Sequence, residues 1–412
     1  MIIVKGKLRA VDPEDIDENG KVVIPKEVEV VEGGAFDGCE NVTEIEFEEG
    51  THTISDYCFS FLHSLKSIKF PKSLRVVGKQ IFSKKAEVNF KLRSLPQIST
   101  NSFGERETMD YVKYCLDKSE ELIASSNVED IEKALEYFDS VIRTKHDIKD
   151  EEILKKFDNV TYLILNKLSE KIDGKEIGKI LIEKRFKDNK ELTESLLIYD
   201  AYKVYQDMGL EKEFKLPHFY TIQQKALMTV DNELIMDIPA LKAKAKKDFK
   251  EEYSVRNYNL MIMFVTRHEI SHLHQKTRSI DSENKEDVIE FLTSQVQQVQ
   301  DGYYSANPSG HVAPHEFLPD EIGADLMGYK QLGKDMVEDY GFSEEDAKEF
   351  IEPKIEKRMQ MVYDRYGIGP EDDYVRVIME EALASDRLSS AERTKLTEVY
   401  EMYMSLNSEH TV

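Results

Sequence analysis

Within Val265-Thr266-Arg267-His268-Glu269-Ile270-Ser271-His272-Leu273, two histidines stand four residues apart and a glutamate directly follows the first. A helix turns once per 3.6 residues, so positions four apart share a face and two imidazoles can converge on one metal ion. Glu269 falls slightly off that face. It is placed to hydrogen-bond a water at the metal without ligating the metal, as a general base requires. Apart from Glu269, the residues between and just after the two histidines carry no charge in a chain otherwise rich in Lys and Glu.

A catalytic zinc site takes three protein ligands and keeps one position open. The segment Leu318-Pro319-Asp320-Glu321-Ile322-Gly323-Ala324-Asp325-Leu326-Met327-Gly328 reads as a helix start with Glu321 and Asp325 four apart. Glu321 can give the third ligand. Asp325 can receive the outer N–H of a ligating histidine and so fix its tautomer and orientation. The small residues Gly323, Ala324 and Gly328 allow this helix to approach the first one closely.

H-E-x-x-H followed by E-x-x-A-D resembles the gluzincin metallopeptidases. The resemblance implies a zinc ion held by His268, His272 and Glu321, with Glu269 activating water, Asp325 behind the ligands, and a peptide or protein as substrate. The interval of 49 residues between His272 and Glu321 is longer than in thermolysin-like members of that family. The intervening Gln297 to His315 stretch contains Tyr303, Tyr304, His311 and His315 among Gly and Pro. Any one of these can serve as oxyanion stabiliser, and the sequence does not choose among them. His274 misses the four-residue spacing, and His218 and His410 read as ordinary surface residues.

The elements around these motifs are legible from periodicity. Ala226 to Val230 and Glu233 to Ile238 are apolar runs about Asp231-Asn232, which predicts a hairpin with a two-residue turn. Gluzincin folds bind an extended substrate along the edge of such a small sheet, by strand addition. Helical periodicity then runs through His274 and again from Ile351 to Leu406, where Met359, Met361, Tyr363 and Tyr366 read as core. Upstream, Glu105 to Gly209 is a set of amphipathic helices, with Ile131, Leu135, Phe138 and Ile142 on one face.

Near the N-terminus apolar positions recur every 23 residues. Val31, Ile54 and Val77 align; so do Phe36, Phe59 and Phe82; so do Ile24, Phe47 and Phe70, beside Val22, Ile45 and Ile68. Each unit holds one short alternating strand, which predicts a solenoid. Val31 to Cys39 and Ile54 to Phe59 resemble the BspA-type leucine-rich repeat, over about Val22 to Phe90. Val88-Asn89-Phe90 arrives about three residues early, and the array is expected to end there. A solenoid offers an extended side for a protein partner.

The expected fold is therefore multidomain α+β: a short leucine-rich-repeat solenoid (1–91), a linker rich in Ser, Thr and Asn (92–104), a helical connector (105–210) and a mostly helical zincin-like domain with a small sheet (211–412). The composition, 40% hydrophobic and 33% charged over 412 residues, is that of a globular protein. A formal net charge of -24 opposes binding to nucleic acid. Cys39, Cys58 and Cys115 form no C-x-x-C pair and read as small buried residues. With no signal peptide or membrane span legible, a cytoplasmic location and no membrane partner are the expectation. A different reading takes the chain as a non-catalytic interaction protein, using its repeats and a structural or vestigial zinc site.

Overall fold

A computed structural model describes residues 1–99, 101–220, 226–229, 231–277, 319–384 and 388–408. They divide into two compact units. The first is Met1–Ile177 with Thr193–Ser195 and His218–Tyr220; the second comprises Gly178–Leu192, Leu196–Pro217 and Thr221–Val412.

The first unit opens with strands β1 (Ile2–Val4), β2 (Lys7–Ala10), β3 (Lys21–Ile24), β4 (Val30–Val31), β5 (Glu44–Phe47), β6 (Thr53–Ile54), β7 (Ser67–Lys69), β8 (Val76–Val77), β9 (Asn89–Lys91) and β10 (Gln97–Ile98). They form a four-stranded sheet, β3-β5-β7-β9, and a six-stranded sheet, β1-β2-β4-β6-β8-β10. The strands within each sheet are parallel, apart from the β1–β2 pair. Each turn of the chain gives one strand to each sheet. The 23-residue period is thus the pairing register itself: Val22 sits beside Ile45, and Ile45 beside Ile68. Identical steps stack like residues. Phe36 lies 5.2 Å from Phe59, Phe59 6.4 Å from Phe82, and Phe47 6.3 Å from Phe70. Buried Phe side chains contribute about 1.5–3 kcal/mol each through removal from water. All three cysteines are free and buried. Gly50 is needed where the coils touch, since a Cβ there would lie 2.0 Å from the Lys26 carbonyl oxygen and its φ is +152°.

The array is longer than the 1–91 span expected for it. Phe90 pairs with Ile68, so the fourth strand arrives one residue early, not three, and the coil continues. The 92–104 stretch is no linker: Gln97–Ile98 pairs with Val76–Val77, and Phe103 packs 6.3 Å from Phe82 and 4.8 Å from Phe90. Its turn-rich composition reflects a two-residue strand between tight bends. At the other end, Leu8 pairs beside Val31.

Helices α1 (Glu105–Ile123), α2 (Val128–Val141) and α3 (Glu151–Ser169) complete this unit. The 105–210 connector is therefore not a body of its own. Tyr111 of α1 meets Phe103 edge-on at 6.1 Å, and the Phe103 N–H donates to Thr108 Oγ1.

The second unit contains α4 (Ile177–Lys187), α5 (Glu194–Asp207), α6 (Ile238–Phe249), α7 (Val255–Thr277), α8 (Pro319–Glu338), α9 (Glu344–Tyr366), α10 (Tyr374–Ala384) and α11 (Ser390–Ser408). Only the first residue of α4 and the first two of α5 fall in the other unit. The hairpin is present as strands Ala226–Met228 and Leu234–Met236, paired Met228 to Leu234. Five residues separate the paired Met228 and Leu234, where two were expected. The Thr229 N–H donates to the Glu233 carbonyl, the Asn232 N–H donates to the Thr229 carbonyl, and Asn232 is left-handed at φ 61°. The Ile351 to Leu406 stretch is three helices, because left-handed Gly367 (φ 64°) ends α9. Met359 and Tyr366 pack against the core formed by Ile322, Val362 and Ile378, whereas Met361 is exposed.

Candidate metal centre

Helix α7 contains neither Gly nor Pro, and its middle is buried at Leu260, Met261, Ile262 and Met263. Two polar residues are tolerated there because each finds a local acceptor. Thr266 and Ser271 donate to the carbonyls of Ile262 and Arg267, four residues back. Helix α8 packs closely against it. A Cβ on Gly328 would lie 3.2 Å from the His268 backbone nitrogen and 3.2 Å from the Phe264 ring, and one on Gly323 would meet Gln275 at 3.0 Å. Ala324 is fully buried. Tyr329 stacks on Phe264 at 3.9 Å, with the rings 11° from parallel.

That approach brings His268, His272 and Glu321 together. The two Nε2 atoms are 3.3 Å apart. Glu321 straddles them, with Oε2 3.4 Å from His268 Nε2 and Oε1 3.4 Å from His272 Nε2. Zinc bonds of about 2.0–2.1 Å in tetrahedral geometry set ligand atoms about 3.3–3.4 Å apart, so the donor set fits a zinc ion by type and by spacing. The three side chains are 11–16% exposed, which leaves a way in for a small ligand.

Asp325 stands behind His268, its Oδ1 2.9 Å from Nδ1 in a close but bent contact. This favours the Nδ1–H tautomer and turns the lone pair of Nε2 towards His272 and Glu321. Burial works against charge on His268, but Asp325 and Glu321 outweigh it and push its pKa up to about 9. Burial raises the Glu321 carboxyl, yet the two imidazoles hold it well below the usual range.

Glu269 Oε2 accepts the Met228 backbone N–H at 3.0 Å, which ties this side chain to the hairpin strand. On its far side that strand has no further strand among the described residues. Tyr303, Tyr304, His311 and His315 lie outside the described residues, as does His410. His218 is half-buried, with Tyr220 6.3 Å away, so it is not the plain surface residue expected.

Sequence reasoning passed over a buried cluster next to the motif. Arg267, 1% exposed, forms a fork with Asp200 at 2.8 Å on each arm and holds Asp335 Oδ2 at 2.8 and 2.6 Å. Tyr340 donates to Asp200 at 2.5 Å. Helices α5, α7 and α8 are thereby joined directly beside His268. The available signal was an arginine inside an apolar helical segment, which demands anionic partners.

Residues 17–133 match the family described as BspA type Leucine rich repeat region, in 6 copies. The N-terminal part of the chain is a BspA-type repeat region. The match runs past β10 into α1 and α2. No curated protein matches the chain, and no solved structure does. Among the described residues, no helix is long and apolar enough to cross a membrane.

Proposed function

We propose that the second unit is a zinc-dependent peptidase domain of the gluzincin kind, hydrolysing peptide bonds in a peptide or protein substrate. The observation that carries this reading is the triangle of His268 Nε2, His272 Nε2 and the Glu321 carboxylate, with edges of 3.3 and 3.4 Å. His268, His272 and Glu321 would hold the ion. Zinc bound there supplies a Lewis acid that polarises a carbonyl and makes water more acidic. Glu269 takes the proton of the attacking water on its carboxylate and passes it to the leaving amine. Asp325 keeps His268 oriented. The Ala226–Met228 strand lies at the edge of its sheet among the described residues, which suits an extended peptide added alongside it.

The repeat region supports a role in protein interaction, since a solenoid presents an extended surface. In this reading the repeats recruit a substrate or partner to the enzyme. The test is Glu269→Gln in the full chain. The variant should retain one zinc per chain and lose peptide hydrolysis by at least about 10²-fold, within the range for loss of a general base. Proteolysis at the wild-type rate by purified Glu269→Gln protein would sink the mechanism.

A further inference from the structure

Asp325 has two carboxylate oxygens and both are engaged. Oδ1 lies 2.9 Å from His268 Nδ1 and Oδ2 2.6 Å from Arg358 Nε, both at ion-pair distance in bent geometry. The carboxylate thus bridges an imidazole on α7 to a guanidinium on α9, and α8 carries it between them. Arg358 is 8% exposed. Its position is fixed by the fold: Val362, one turn further along α9, is buried in one core with Ile322 of α8 and Ile378 of α10. Residues four apart share a helix face, so the packing that buries Val362 also aims Arg358 at α8.

A carboxylate tied at one oxygen can still swing about its Cβ–Cγ bond, and an imidazole resting on it can turn with it. A guanidinium held at ion-pair distance from the second oxygen restricts that freedom. We propose that Arg358 is a positioning residue for the metal centre, acting on His268 through Asp325 so that Nε2 is presented to the ion. The inference rests on the zinc reading given above. It concerns a residue that touches neither the ion nor the substrate, and it places the third helix, α9, within the machinery of the site.

If Arg358 acts through Asp325, its removal matters only while Asp325 can relay it. The experiment is a double-mutant cycle on the full-length protein, reading the zinc dissociation constant by competition with a chromophoric chelator at one neutral pH. Arg358→Met should weaken zinc binding roughly 10–100-fold, the usual cost of losing a partner that orients a ligand. Asp325→Asn should do the same. Arg358→Met added to Asp325→Asn should cost less than about twofold more, because the link is already broken. A merely structural role would cost as much in both backgrounds, and that result overturns the proposal. Arg358→Lys, which keeps the charge but not the planar guanidinium, should bind several-fold more weakly than wild type and more tightly than Arg358→Met. If circular dichroism shows Arg358→Met to be unfolded, the Lys variant decides, and wild-type affinity in it overturns the relay. A wild type that holds no zinc overturns the reading of the site and this inference together. A zinc-binding wild type beside an equally tight Arg358→Met overturns the relay alone.

Discussion

Replacing Arg267 by Met keeps the length of the side chain and removes its charge. The guanidinium makes five contacts of 2.6–2.9 Å: two to Asp200, two to Asp335 and one to the Met263 carbonyl. Asp200 is fully buried and Asp335 is 4% exposed, so the substitution leaves two carboxylates in the interior without their cation. Tyr340 still donates to Asp200 and Gln331 to Asp335, which softens the loss without neutralising either charge. Breaking a buried pair at one partner costs about 3–5 kcal/mol. At about 1.4 kcal/mol per decade, that is a rise of roughly 10²–10³-fold or more in the opening equilibrium of the helices concerned. The readout is hydrogen exchange of peptides covering α7 and α8, which reports local opening without assuming that two units unfold together. The pH dependence has a definite sign. Burial, opposed by Arg267, already raises the Asp335 carboxyl to about 6, above its ordinary 3.8. The folded state therefore binds more protons than the unfolded state between about pH 4 and 6, and stability from this group falls as pH rises through that window. Without Arg267 the carboxyl rises further. The deficit of Arg267→Met should accordingly be smaller at pH 5 than at pH 8. Exchange in Arg267→Met within threefold of wild type at both pH values would refute the reasoning.

Two more expectations concern the first unit. Asp139 accepts the Ser195 N–H and hydroxyl at 2.7 and 2.9 Å beside Glu194; its carboxyl is enclosed although the residue keeps some exposed surface, and burial, then the Glu194 charge, pushes it up to about 7. Because the folded pKa lies above the unfolded one, its contribution to stability is lost as pH rises from about 4 to 7; wild type should therefore gain on Asp139→Asn in urea midpoint on going from pH 8 to pH 5, and the opposite trend refutes the assignment. Gly50→Ala, which drives a Cβ into the Lys26 carbonyl at a φ of +152°, should destabilise the solenoid by about 2–4 kcal/mol, read as faster exchange in peptides covering β5 and β6; unchanged protection counts against the close approach of the coils.

What the sequence disclosed was whatever repeats at short range. Four apolar columns 23 residues apart are the parallel register of the solenoid, and the i, i+4 pairs His268/His272 and Glu321/Asp325 are the faces that α7 and α8 turn to one another. The ends of the array were hidden because their strands are two to four residues long and sit among turn-forming residues. The signal was present in one column, where Leu8 precedes Val31 and Ile98 follows Val77. The partners of Arg267 were out of reach for another reason. Asp200 and Asp335 are 67 and 68 residues away along the chain, and nothing periodic connects them. Nothing in the sequence sets Arg358 apart from other helical arginines; the burial of Val362 is what fixes which face of α9 looks inward.

Whether His268, His272 and Glu321 hold zinc is read most directly from the metal content of the purified full-length protein by elemental mass spectrometry, with no metal added, beside His268→Ala. About one zinc per chain is expected in the wild type and its loss in the variant, since removing His268 leaves only two protein ligands. A folded wild type carrying no stoichiometric metal, or a His268→Ala variant that keeps all of its zinc, would contradict the zinc reading.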